Sequence, residues 1–428
     1  MDCSARYMKD LGRPNSGVCF AEYSGRALRL EGRLRVAFLL SSVLALCLLV
    51  LFPVAVFAVQ DPLEPTIEEI RTLSLGNSAP ELDRLVNAFC EPLENLSRGS
   101  TSEQEMDGSA IGSTLWEKAR KAAQNKFGFD DRILYWCRLR MLMALKNEAK
   151  RRPGLRIDVR TQIDTFERNS RGLADFGWKH PDALRVVITG FDPFALDNRI
   201  DQVNPSGLVA LSLDGKVFKL GGRRVEISAS IFPVRYGDFD QAMFEIWLTE
   251  MLLDQSVDLF ISISMGRDQF DLERFPGRRR SASALDNVRK HGGGTSSEPV
   301  APLFKGMPII GPEFLEFSLP AEQMIQVGGA FSIKDNHQVT TVEKGTFKPS
   351  SLAALAGLTA VRGSGGGYLS NEIAYRALRL ANELDVSVPM GHIHTPRMQG
   401  YNQKRLQQIL DQVEAMIVAA SASIKNPL

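Results

Sequence analysis

Ser370, His394 and Glu273 are the residues whose types and settings could together do chemistry. Ser370 stands in "RGSGGGYLSNEIAYRAL", where a glycine-rich turn runs into a helix. A hydroxyl at a helix start lies among free backbone N–H groups that can stabilise an oxyanion. It still needs a base. The chain has five histidines, His180, His291, His337, His392 and His394, and the last two close the apolar run "LDVSVPMGHIH". Strand alternation is expected to send one of them to the site and the other away. A carboxylate must orient the imidazole, and Glu273 in "GRDQFDLER" stands at another strand end. Nucleophile, base and carboxylate point to acyl transfer. Each residue also has a structural reading. Ser370 fits a helix N-cap, His394 a satisfied buried histidine, and Glu273 a partner for Arg274.

Other chemistries find less support. Tyr368 occupies the place of the last glycine in G-x-G-x-x-G, and no G-x-x-x-x-G-K-[ST] occurs. "HGGG" at His291 has no G-x-S-x-G to accompany it. His392 and His394 make an H-x-H without a third ligand, so no metal and no cofactor is expected. The last cysteine is Cys137, which leaves the C-terminal two-thirds without a thiolate nucleophile.

The elements that must position these residues begin near Arg185. "LRVVITGF", "RVEISASIFPV" and "VDLFISIS" read as strands, with the helical pattern "FDQAMFEIWLTEMLLD" between the last two. Such alternation predicts an α/β domain, residues 181–428, three-layered with a mainly parallel central sheet. Residues 60–180 read as a helical prefix. In it Asp130 caps a helix whose Leu134, Cys137, Met141 and Leu145 share one face, and Ser97–Gly112 forms a polar loop. Phe275–Pro302, basic and rich in glycine and serine, reads as a mobile, solvated insertion.

Taken in order, the strand-end stretches resemble pyroglutamyl peptidase type I, the pyrrolidone-carboxylate peptidase family of cysteine peptidases. "VVITGFDPF…NPSG", "GRDQFDLER", "GPEFLEFSLP", "GGYLSNEIAY" and "HIHTP" carry the likeness, over about Arg185 to Gln408. Ser370 stands where that family has its cysteine, and "MGR" replaces its double glycine and arginine. "FPGR" stands where the family has an asparagine shortly after the glutamate motif. The resemblance implies catalytic roles for Ser370, His394 and Glu273 in releasing N-terminal pyroglutamate from peptides. It implies that Phe191 and Phe194 wall the lactam ring and that Asn204 hydrogen-bonds it. Both phenylalanines equally fit the core beneath the loop. Two functions therefore stand: a serine version of this peptidase, or a silent pseudoenzyme serving as an envelope binding or scaffold protein.

Composition narrows the setting. Fifty-one basic residues balance fifty acidic ones, so no field for nucleic acid arises. Val36–Val59 carries no charge and follows Arg26, Arg29, Arg33 and Arg35. It reads as a signal peptide or a retained membrane anchor, within a leader spanning residues 1–59, and places the rest outside the cytoplasm. Cys90 and Cys137 would then either pair or remain core residues. A homo-oligomer is compatible with all of this.

Overall fold

The computed structural model describes residues 61–424, apart from 98–106, 126–127, 152–157, 175–176 and 255. The apolar segment Val36–Val59 lies outside the described residues, as do Cys3, Cys19 and Cys47. Among the described residues no helix is long and apolar enough to cross a membrane. Residues Asp61–Leu428 form one compact unit.

The strands are β1 (Leu184–Phe191), β2 (Val217–Leu220), β3 (Arg223–Phe232), β4 (Leu259–Met265), β5 (Phe270–Glu273), β6 (Leu303–Phe304), β7 (Met307–Pro308), β8 (Ile333–Asn336), β9 (Val339–Thr341), β10 (Gly345–Phe347), β11 (Ala360–Arg362) and β12 (Met390–Thr395). The central sheet has the order β2-β3-β1-β4-β12-β5-β8. Its pairs are parallel except for β2 with β3 and β5 with β12. The expected α/β architecture is thus present. β1 and β4 are buried along almost their whole length, because strands covered on both faces must be apolar throughout.

Eight helices of nine or more residues are described: α1 (Pro80–Ser97), α2 (Gly108–Asn125), α3 (Asp131–Arg151), α4 (Val159–Asn169), α5 (Pro205–Leu213), α6 (Met243–Leu253), α7 (Leu369–Glu383) and α8 (Gln403–Ala422). Helix α5 packs on β1, β3 and β4 and is backed by α2 and α8. Helix α7 packs on β4 and β12 and is backed by α6. Phe232, Phe244, Trp247 and Phe260 interlock there with ring centroids 5.1 to 6.4 Å apart. Each such side chain contributes about 1.5–3 kcal/mol through burial. The helical pattern read across residues 239–254 breaks at Ala242, whose φ of 63° interrupts the turn.

The prefix differs from its sequence reading in where its polar loop ends. The stretch read as a loop up to Gly112 is helical from Gly108, the first residue of α2. Glycine is used there for close approach: a Cβ on Gly108 would meet the Gln162 carbonyl oxygen at 2.1 Å, so α2 lies hard against α4. The prefix also shares its core with the α/β region, since α2 packs on α5 and α3 does too. The reading of α3 stands, with Asp130 accepting from the Arg132 N–H and the Leu134–Leu145 face buried. Cys90 of α1 and Cys137 of α3 are joined as a disulfide, with Cα atoms 5.6 Å apart.

The basic, glycine-rich stretch 275–302 is not a solvated insertion. Arg278 and Arg279 pair with Glu313, and Arg280 is buried against Glu372 and Asp240. Its backbone is fastened by bonds between Arg280 and Val300 and from Ser281 to the Gly367 carbonyl. These carboxylates are remote in sequence, so the run looked unpaired.

Between prefix and sheet lies a buried ion cluster. The Asp192 carboxylate, just past β1, accepts from Arg138 of α3 at 3.3 Å and from Arg171 at 2.8 Å. Glu167 of α4 binds Arg171 and Arg235, and those cations with Arg138 hold its carboxyl far below the usual range despite burial. Removing one partner strands buried charge, which typically costs about 3–5 kcal/mol. Asp192→Ala should therefore lose stability of that order in denaturant unfolding. A loss under about 1 kcal/mol would show that the cluster does not hold the prefix down.

Candidate active site

The site forms where β5, β8 and β12 end beside the start of α7. Glu273 is the last residue of β5 and is 1% exposed. Its Oε1 takes the His394 Nδ1 at 2.5 Å, and its Oε2 accepts from Asn336 Nδ2 at 2.8 Å. With Nδ1 donating to the carboxylate, His394 keeps the Nε2 lone pair for another proton. Asn336, at the end of β8, also donates to the Ser364 carbonyl at 3.0 Å. One amide thus ties the carboxylate to the glycine-rich turn.

The turn is bolted down from its other side as well. Phe275 and Ser364 exchange bonds, with the Phe275 N–H donating to Ser364 Oγ and the Ser364 N–H donating to the Phe275 carbonyl. Asn371 Oδ1 accepts from the Gly277 N–H while its Nδ2 donates to the Gly277 carbonyl. Gly363 is obligatory in this weave, since a Cβ would meet Asn371 Oδ1 at 2.0 Å.

Ser370 is the second residue of α7, and the N-cap is Tyr368, which makes no side-chain cap bond. The capping role read for Ser370 is therefore not the one it plays. Its Oγ donates to the Gly365 carbonyl at 3.2 Å, and no hydrogen bond joins it to His394 among the described residues. Two residues on, Glu372 anchors the helix start through Arg280 and Arg376, all buried.

His392 and His394 correct an expectation. Residues two apart in a strand share a face, and the two rings meet edge-on with centroids 4.7 Å apart. Neither is turned away from the other. What separates them is partnership: His392 is fully buried between Ser262 Oγ and Ser264 Oγ, each at 2.8 Å. Ser262 can give its hydrogen to the Gly391 carbonyl, so Nδ1 donates to Ser262 and Nε2 accepts from Ser264. Burial, then the neighbouring His394, pushes His392 well below the ordinary histidine range. Arg274, read as a possible mate of Glu273, pairs with Asp335 and Glu316 instead.

The residues implied for substrate contact separate. Phe191 is 3% exposed and stacks on Phe239 at 6.3 Å, inside the core. Phe194 is partly buried, 6.5 Å from the Tyr368 ring, which itself meets Tyr236 edge-on at 5.4 Å. Asn204 is fully buried as the N-cap of α5; its Oδ1 accepts from Ser206 and its Nδ2 donates to the Asp192 carbonyl. A cavity of about 270 Å³ opens beside His394, bordered by the glycine turn, Gly266–Arg267 and the β9–β10 hairpin. Sequence reasoning missed Asn336, Ser364 and Tyr368. Only Tyr368 carried a local signal, as an aromatic residue beside the candidate nucleophile. Among the described residues no cluster suited to a metal occurs.

Residues 185–300 and 331–399 match a family model described as the PA0049 C-terminal domain. An uncharacterized protein, PA0049, of Pseudomonas aeruginosa PAO1 is 28% identical, across 68% of this chain and 69% of its own. Structures of pyrrolidone carboxyl peptidase from Pyrococcus furiosus, one of a point mutant and one described together with a cysteine-free mutant, are also similar. Each is 20% identical and covers 56% of this chain and 100% of its own, at a TM-score of 0.38.

A neutral buried histidine leaves a mark on stability. The unfolded chain takes up a proton as the pH drops below about 6.5, the folded chain does not, and stability falls in that direction. The slope of unfolding free energy against pH below that value should be shallower in His392→Gln than in the wild type. Identical slopes would contradict a neutral His392.

Proposed function

We propose that the protein hydrolyses an acyl bond through Ser370, His394 and Glu273, and that its substrates are peptides with an N-terminal pyroglutamyl residue. The observation that carries this reading is the 2.5 Å bond from the buried Glu273 to His394 Nδ1, made beside the helix start that bears Ser370. A buried carboxylate on Nδ1 fixes the ring's tautomer and steadies the imidazolium once it forms. The pyroglutamyl class rests on the order of the sequence motifs.

In this mechanism the Ser370 hydroxyl exchanges its Gly365 acceptor for His394 Nε2 and passes its proton there. The oxygen attacks the pyroglutamyl carbonyl carbon. The resulting oxyanion lies near the first N–H groups of α7, from Leu369 and Ser370, which at the first two helical positions have no acceptor within the helix. His394 then gives its proton to the leaving amine as the C–N bond breaks. Water, deprotonated by the same imidazole, hydrolyses the acyl-serine. Phe194 with Tyr368 offers an apolar wall for the compact lactam.

A second reading is favoured by one observation: Ser370 Oγ is held by the Gly365 carbonyl and not by His394. A thiolate forms more readily than an alkoxide, so a serine so held suits a silent binding protein. We also propose that the domain works outside the cytoplasm, since a disulfide between Cys90 and Cys137 fits an oxidising compartment.

A fluorogenic pyroglutamyl amide separates the two readings. Wild type should release the fluorophore, and Ser370→Ala and His394→Ala should each lower kcat by at least about a thousandfold. Activity found only in Ser370→Cys would mean an intact site with a silent serine. Silence in wild type and Ser370→Cys alike, with the fold preserved, would overturn the hydrolytic reading.

A further inference from the structure

The cavity beside His394 has a charge that the reaction itself does not require. Arg267, in the turn after β4, and Arg362, at the end of β11, both line it and both are exposed. The remaining polar side chains there include Gln338, Thr340 and Thr346, and no carboxylate lines it among the described residues. Neither arginine has an ion pair among those residues. Arg362 donates to Ser296 Oγ at 3.1 Å, a neutral acceptor that leaves its charge uncompensated. Most other arginines of this domain are paired, including Arg274, Arg278, Arg279, Arg280, Arg376 and Arg379. Two unpaired guanidiniums facing one recess among neutral hydrogen-bonding groups suit an anion, and their planar forks match a carboxylate.

The position says which part of a substrate would carry it. In the proposed mechanism, on which this inference rests, His394 must reach the leaving nitrogen to protonate it. The portion of substrate beyond the scissile bond therefore lies against His394, and His394 is on the wall of this cavity. We infer that the cavity holding Arg267 and Arg362 binds a carboxylate of the leaving portion, so that short acidic pyroglutamyl peptides are the preferred substrate class. That carboxylate is either the free C-terminus of a pyroglutamyl dipeptide or the side chain of an acidic residue following pyroglutamate. Both place an anion within reach of the same two arginines.

The test measures binding apart from turnover. Ser370→Ala protein is titrated calorimetrically with three probes: pyroglutamyl-alanine, pyroglutamyl-alanine amide and pyroglutamyl-glutamate α-amide. Binding of one carboxylate probe should exceed that of the neutral amide by about tenfold, and the stronger of the two identifies the source. Adding Arg362→Glu or, separately, Arg267→Ala should bring that ratio close to one, with circular dichroism checking that the fold persists. Equal binding of all three probes would overturn the inference. So would a preference that survives both arginine changes. If wild type cleaves none of the probes while Ser370→Ala retains the carboxylate preference, hydrolysis fails and the anion site stands.

Discussion

The Glu273 carboxylate is buried, and a buried carboxylate must be satisfied on both oxygens or it costs several kcal/mol. Its two partners come from different strands, His394 from β12 and Asn336 from β8, and Asn336 continues to the glycine-rich turn. Meeting that single requirement fixes three strand ends and the loop before α7 relative to one another. In the antiparallel pairing of β5 with β12, Asp271 stands directly opposite His394, so the bond from Glu273 to His394 runs diagonally across the pair. The imidazole is thereby oriented before any ligand arrives, which is what general base catalysis needs from its scaffold.

A second buried network does comparable service past the end of β1, at the same carboxyl edge of the parallel strands. Asp192 follows β1 directly, in the stretch read as a substrate loop, yet its carboxylate serves Arg138 and Arg171 of the prefix region. The same loop sends Phe191 into the core and leaves Phe194 beside Tyr368. The prefix is thus part of what holds that loop in shape. Helices that carry no candidate catalytic residue therefore help to shape a loop of the α/β region.

Much of the fold was legible because strands buried on both faces must be continuous apolar runs, as β1 and β4 are. The site was legible where it lies in local signals: a glycine turn before a helix, a histidine at a strand end, a glutamate at another. What escaped reading was set by distance in sequence. Asn336 lies 63 residues from Glu273, and nothing near either residue announces the bond. The arginines of 278–280 looked solvated because Glu313 and Glu372 are far along the chain. The placing of His392 and His394 on opposite faces was an error of period, and the difference between them lies in Ser262 and Ser264, which no local pattern links to histidine. Gly108 and Gly112 signalled a loop, whereas their lack of side chains lets two helices touch.

The proposed nucleophile is Ser370, activated by His394 under the hold of Glu273. Intact-protein mass spectrometry after exposure to a pyroglutamyl-like diphenyl phosphonate tests it most directly, because the reagent reports covalent attack without requiring turnover. One adduct per chain, mapped to Ser370 and absent from His394→Ala, is the predicted result. No adduct on the folded wild type, or an adduct on Ser364 in its place, would rule out Ser370 as the nucleophile.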